Sequence, residues 1–240
     1  MHLAILMTNT DESAFAQRHP KDGKKFTTLI QNVRPDWKTT SYCVKDNEFP
    51  NNISQYDGVM ITGSPASVFD DDPWVAVMMG LIKVIASLDM PLFGACFGHQ
   101  AIALALGGQV ETNPDGWVFG VTEMDVTRHE QWTNELGQTL TQYASHIEQV
   151  TRLPAGAKVL LSSTVCPIAG FAIGLNIYTT QNHPEMDKDF ISVLIDELEP
   201  KVGVEVAQIA RASLAVHVDT AVYAETIARF FELAQNPETE

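Results

Sequence analysis

Pro91-Leu92-Phe93-Gly94-Ala95-Cys96-Phe97-Gly98-His99-Gln100 is a short apolar strand that ends at Cys96 and runs straight into a helix. The helical pattern is carried on by Ala101, Ile102, Leu104 and Ala105. A four- or five-residue apolar run of this kind, open to neither water nor polar neighbours, belongs in the middle of a parallel sheet. The small residues Gly94 and Gly98 permit a sharp strand-to-helix turn. Upstream, residues 2–8 read as a first strand, 22–33 as a helix, 37–43 as a second strand and 58–62 as a buried third strand. A polar loop at 45–54 and the turn Gly63-Ser64-Pro65 separate these pieces. Asp70-Asp71-Asp72-Pro73 then starts a strongly apolar helix over 73–88.

This alternation predicts an α/β fold, with a mostly parallel sheet covered by helices. Ligands of such sheets lie at the carboxyl ends of the strands. Gly63-Ser64-Pro65 and Cys96 both sit at such ends. Downstream the pattern changes. Residues 117–127, 143–147, 157–162, 168–173 and 175–181 read as strands joined by turns, an added antiparallel region. Helices are predicted at about 187–198, 203–211 and 217–234. With no repeat or obvious linker, residues 1–240 read as one domain, a core over about 1–186 and a helical C-terminal extension over 187–240.

The chain has 240 residues, enough to bury a core, and 45% of them are hydrophobic. Its 30 acidic residues against 15 basic ones give a net charge of −15. A field of that sign repels phosphate backbones and anionic lipid heads, so no nucleic acid and no membrane partner is expected. No apolar stretch is long enough for a membrane span. The three cysteines, Cys43, Cys96 and Cys166, are too far apart for zinc-ligand spacing and odd in number. A reducing, cytoplasmic setting suits them, and no metal is expected.

A free cysteine is most often a buried structural residue, and Cys43 and Cys166 read that way. Cys96 does not. The turn around it has the shape of a nucleophile elbow, with cysteine in place of the more usual serine. Such an elbow exposes the side chain and leaves the N–H groups of the first helical turn unpaired. The helix N-terminus favours a thiolate. The N–H of Phe97 becomes a donor for an oxyanion.

A thiolate nucleophile needs an imidazole partner, and seven histidines compete. His2, His19, His129 and His217 have no catalytic cue. His99 lies one turn into the elbow helix and points away from the sulfur. His146, in Ala144-Ser145-His146-Ile147-Glu148, reads as a loop-edge residue. His183 follows the apolar run 176–180 and so ends a strand. Pro184 favours an extended backbone at His183. Side chains two apart in an extended segment share a face, which sets Glu185 beside the imidazole. Alone, His183-Pro184-Glu185 could equally be a surface turn. Joined to the elbow, it completes a nucleophile, base and orienting carboxylate.

With these pieces in order, the sequence resembles the class I, triad-type glutamine amidotransferases over roughly residues 1 to 186. The resemblance is carried by Thr62-Gly63-Ser64-Pro65, the elbow, Gly107-Gly108, Gly116-Trp117-Val118-Phe119-Gly120, Ser145-His146 and Gln181-Asn182-His183-Pro184-Glu185. It implies a flavodoxin-like sheet, a Cys96–His183–Glu185 triad, and Gly63 as a second oxyanion donor beside Phe97. It also implies that Gln100, Ser145 and His146 border the glutamyl end of a small-molecule γ-glutamyl substrate.

Two positions depart from the family pattern. Asn182 stands where an aromatic residue usually precedes the histidine, and Glu148 where the Ser-His-x-Asp segment has aspartate. Both bear on which γ-glutamyl compound is the substrate. The chain is similar to stand-alone, GMP-synthase-like amidotransferases and to γ-glutamyl peptidases. The implied reaction is hydrolysis of a γ-glutamyl amide through a thioester, with no metal or organic cofactor. A separate synthetase subunit would receive the ammonia of a glutaminase, whereas a γ-glutamyl peptidase needs none. A catalytically silent regulatory module is a further reading, which the intact Cys96, His183 and Glu185 oppose. The cysteine-elbow α/β proteins of stress or deglycation chemistry, which do not require a late His-Pro-Glu segment, rank lowest. The C-terminal helices are left to pack on the core or to form a homodimer interface.

Overall fold

The computed structural model of the protein describes residues 1–235. Residues 236–240, the end of the expected C-terminal extension, lie outside the described residues. The elements run β1 (His2–Met7), α1 (Asp22–Gln31), β2 (Lys38–Cys43), β3 (Gly58–Ile61), α2 (Pro73–Ser87), β4 (Leu92–Ala95) and α3 (Phe97–Ala105). They continue with β5 (Gln109–Thr112), β6 (Val118–Val126), β7 (Thr139–His146), β8 (Glu148–Arg152), β9 (Lys158–Ser162), β10 (Gly170–Ile173) and β11 (Ile177–Thr180). Three helices follow, α4 (Lys188–Val202), α5 (Val204–Ser213) and α6 (Thr220–Gln235).

Nine strands form one sheet in the order β2-β1-β3-β4-β11-β10-β9-β6-β7. β2, β1, β3, β4 and β11 are mutually parallel, and β10, β9, β6 and β7 continue antiparallel. This is the flavodoxin-like α/β architecture with an added antiparallel region that the sequence predicts. Every residue of β3 and β4 is buried, as expected of strands covered on both faces.

One face carries α1 and α6, whose Phe26, Ile30, Ile227, Phe230 and Phe231 pack with Phe93 and Tyr178. The other carries α2 and α3, where Trp74, Met78, Ile82, Phe97 and Ile102 pack against Val59 and Ile61. α4 and α5 cover β6 and β7 through Ile191, Ile195, Ala207 and Ala210 against Phe119 and Tyr143. Close approach of α5 depends on Gly120, at φ 98°, where a Cβ would stand 2.8 Å from Ala210 Cα. The C-terminal helices therefore pack on the core.

Three elements differ from the sequence expectation. β5 and β8 form a separate antiparallel pair over α3, with Val110 and Val150 turned into its core. β7 also begins four residues before the predicted 143. No helix among the described residues is long and apolar enough to cross a membrane.

Candidate active site

β3, β4 and β11 are adjacent and parallel, so their carboxyl ends lie side by side, about 5 Å apart from strand to strand. Gly63 follows β3, Cys96 follows β4, and Gln181-Asn182-His183 follows β11. Three distant stretches of sequence thus converge on one edge.

Cys96 occupies φ 50°, ψ −106°, a conformation an L-residue adopts only when its surroundings enforce it. The enforcement is local. Cys96 N–H donates to the Thr180 carbonyl at 2.9 Å, and the Cys96 carbonyl accepts from Gln100 N–H at 3.0 Å. A Cβ on Gly94 would meet Gly98 O at 2.7 Å, and one on Gly98 would meet Ile61 O at 2.6 Å. Both glycines are needed for the bend to close.

Gly63 faces the same point. A Cβ added there would lie 2.8 Å from His183 Cε1 and 3.4 Å from Cys96 Cβ. The Thr62 carbonyl is taken by Gly98 N–H at 3.2 Å and by Thr8 Oγ1 at 3.0 Å. In a trans peptide the N–H opposes the C=O, so the Gly63 N–H is turned away from those groups. Neither the Gly63 nor the Phe97 N–H has an acceptor among the described residues.

His183 is fixed from both sides. Its N–H donates to the Tyr143 carbonyl at 2.8 Å, which ties the end of β11 to β7. Its ring Nδ1 lies 2.8 Å from Glu185 Oε1. A carboxylate only accepts, so Nδ1 carries the proton and Nε2 is left for the sulfur side. Glu185 reaches the ring by a different route from the expected extended segment. Residues 184 and 185 form a turn, with Met186 N–H directed back at the His183 carbonyl, and this turn folds the carboxylate under the imidazole. Burial opposes a charged imidazole, but the Glu185 carboxylate and the Cys96 sulfur outweigh it and hold the His183 pKa well above its usual value.

The remaining predicted residues are also brought to this edge. Gln100 Nε2 donates to the Glu148 carbonyl at 2.7 Å and lies 3.3 Å from Gln181 Oε1. Ser145 and His146 end β7 and line the same cleft. His146 is buried at a strand end, where a loop edge was expected. Its Nδ1 donates to the Glu148 carbonyl at 3.1 Å, and burial lowers its pKa to about 4. His99 points away, as expected. Its Nδ1 pairs with Thr179 Oγ1 at 2.8 Å in the interior, and burial lowers its pKa to about 3.

Two residues that depart from the family pattern fall on opposite sides. Asn182 alternates inward and donates its side-chain N–H to Met124 Sδ in the core, away from the cleft. The Glu148 carboxylate is in the cleft, accepting from Ser67 Oγ at 2.9 and 3.0 Å. Ser67 carries no local signal in the sequence, since it meets Glu148 only through the fold.

A model of the family described as glutamine amidotransferase class-I matches residues 24–189. The chain belongs to that family. Its matched segment runs from α1 to the start of α4, so it contains the elbow, Gly63, His183 and Glu185 together.

Among curated class I relatives, the chain is 29% identical to gamma-glutamyl peptidase 4 of Arabidopsis thaliana over 202 residues, 81% of this chain and 80% of that protein. It is 36% identical to the glutamine-hydrolyzing GMP synthase of Aromatoleum aromaticum over 138 residues, 54% of this chain but only 25% of that protein. A crystal structure of a glutamine amidotransferase from Thermotoga maritima superposes with a TM-score of 0.75 at 19% identity, covering 96% of this chain and 98% of that one. That likeness is one of fold.

The cleft itself measures about 690 Å³. It is bounded on one side by Gln100, Trp117, His146 and Glu148, and it extends past the sulfur toward α1 and α4.

Proposed function

We propose that this chain hydrolyses a γ-glutamyl amide through a covalent thioester on Cys96. The observation that carries the reading is the convergence of Gly63, Cys96, His183 and Glu185 at one sheet edge. A thiol in an enforced elbow faces an imidazole whose other nitrogen is held by a buried carboxylate, with two unpaired backbone N–H groups alongside.

The chemistry then runs in two steps. The Cys96 thiolate attacks the γ-carbonyl carbon, and the C=O π pair moves onto oxygen. The Gly63 and Phe97 N–H groups stabilise that oxyanion, each donor worth about 3 kcal/mol of barrier. As the oxyanion collapses, the C–N bond breaks and His183 Nε2 gives its proton to the departing amine. Now neutral, His183 takes a proton from water, which attacks the thioester. Glutamate leaves, and the thiolate and imidazolium are restored. Glu185 keeps the ring in the required tautomer and offsets its positive charge throughout. Gln100, Ser145 and His146 hold the glutamyl end.

The leaving group separates two versions of this reaction. A glutaminase releases ammonia to a separate synthetase subunit. A γ-glutamyl peptidase releases an amine to water and needs no partner. The second version is supported by a cleft that is large for ammonia and continues beyond the sulfur. The similarity to a gamma-glutamyl peptidase over four-fifths of both chains points the same way.

The test is intact-mass analysis after treatment with an electrophilic glutamine analogue. The expected result is one adduct on Cys96, absent in Cys96→Ala and much slower in His183→Ala. Labelling spread over Cys43 and Cys166 would sink the assignment. A turnover panel of glutamine, γ-glutamyl amines and γ-glutamyl peptides then decides the leaving group. Activity confined to glutamine, and appearing only with an added synthetase, would overturn the peptidase version.

A further inference from the structure

Beyond the sulfur the cleft wall toward α1 and α4 has a composition of its own. Phe15, His19 and Phe190 form an aromatic wall, their ring centroids 4.7, 6.0 and 5.2 Å apart in pairs. Leu194 continues it along α4. Across this wall stands Lys25 of α1. Its Nζ is 3.5 Å above the centre of the Phe190 ring and 3.1 Å from Asp22 Oδ1. Asp22 is itself fixed by Asn9 Nδ2 at 2.8 Å.

Lys25 is therefore a held cation and not a mobile surface lysine. Its side chain is only 11% exposed. An ammonium has three N–H donors. One goes to Asp22 and one rests on the ring face, a favourable place for a cation. The third has no acceptor among the described residues and borders the cleft. In a chain of net charge −15, a fixed positive group with a spare donor beside an apolar wall selects a ligand that is anionic at one end and apolar along its body.

We infer that Lys25 and the wall formed by Phe15, Phe190 and Leu194 are the leaving-group subsite, taking a short peptide amine that bears a carboxylate and an apolar side chain. This rests on the γ-glutamyl amide reading of Cys96. The carboxylate accepts from Lys25 Nζ, and the side chain lies on the aromatic wall. Reach supports the pairing. Lys25 is tied through Asp22 to Asn9, just past β1, and β1 is separated from β4 by β3 alone. Two strand spacings are about 10 Å. Two residues beyond the scissile amide, at about 3.5 Å each, followed by a hydrogen bond, span about that spacing between strand ends. The subsite also gives the C-terminal extension a function, since Phe190 and Leu194 lie on α4, past the end of the matched family region at 189.

The experiment compares γ-glutamyl-leucyl-glycine with its C-terminal carboxamide, which is the same shape without the charge. The wild-type enzyme is expected to prefer the acid by about tenfold or more in kcat/KM, the worth of one charged hydrogen bond, and mainly through KM. That preference falls to near one in Lys25→Met and returns in Lys25→Arg. Equal use of acid and amide by the wild type, or a preference unchanged in Lys25→Met, overturns the subsite. The wild-type comparison stands even if a variant folds poorly. Adduct formation on Cys96 is measured on the same samples. Labelling at Cys96 with no acid preference removes the subsite alone, whereas absence of labelling removes the γ-glutamyl reading and the subsite with it.

Discussion

Gly63 and His183 approach so closely that a methyl group on Gly63 would stand 2.8 Å from ring Cε1 of His183. The same methyl group would come 3.4 Å from Cys96 Cβ. Glycine is thus required at the end of β3 for a reason of space. Its missing side chain leaves a volume which, on the proposed mechanism, receives the tetrahedral carbon and its oxyanion.

Gly63→Ala is accordingly expected to lower kcat by about 100-fold, comparable to loss of one oxyanion donor. The added methyl either displaces the imidazole or occupies the oxyanion position. Neither disturbs the core, so thermal unfolding should shift by only a few degrees. Steady-state kinetics beside a melting curve checks both halves. A variant with full activity would show that the oxyanion forms elsewhere.

Glu185→Gln isolates the electrostatics of the imidazole. In the native site burial opposes the charge on His183, and the carboxylate together with the sulfur overcomes it. Removing the carboxylate's charge leaves burial with one opponent fewer, so the His183 pKa must fall. Imidazole resonances followed by NMR titration read this directly. The amide can also present its N–H to Nδ1, which stabilises the wrong tautomer, and kcat is expected to fall by about 100-fold or more. An unchanged His183 titration would mean that Glu185 does not set its charge.

How far such a site can be read from sequence depends on how local its causes are. β3 and β4 are legible because strands covered on both faces must be apolar throughout, and Gly58–Ile61 and Leu92–Ala95 are. Cys96 is legible because the glycines that tighten its elbow are its own neighbours. β5 and β8 are not, because each is short and turns a single apolar residue, Val110 or Val150, into the core. The early part of β7 is hidden for a related reason. Gln142 is polar in sequence but buried, accepting from Thr180 Oγ1 at 2.9 Å. The pairing of His183 with Glu185 is legible, but its geometry comes from a turn and not from strand alternation. The pairs Ser67–Glu148 and Lys25–Phe190 have no trace in the sequence, since each joins elements far apart along the chain.

Two buried imidazoles outside the triad, His99 and His146, predict how stability depends on pH. His99 and His146 are held neutral by burial, with pKa values of about 3 and about 4 in the folded protein. In the unfolded chain each binds a proton near pH 6.5. Below that pH the unfolded state holds protons that the folded state does not, so stability falls as pH falls. His183 does not oppose this trend, because its raised pKa keeps it protonated in both states below pH 6. Two uncompensated protons set a limiting slope of about 2.7 kcal/mol per pH unit, approached as pH falls from 6 toward 5, at 1.36 kcal/mol per proton. Urea unfolding at half-unit pH steps measures it. His99→Gln, which can keep the contact with Thr179 Oγ1, is expected to halve the slope. A flat profile over that interval would mean that neither imidazole is held neutral in the folded protein.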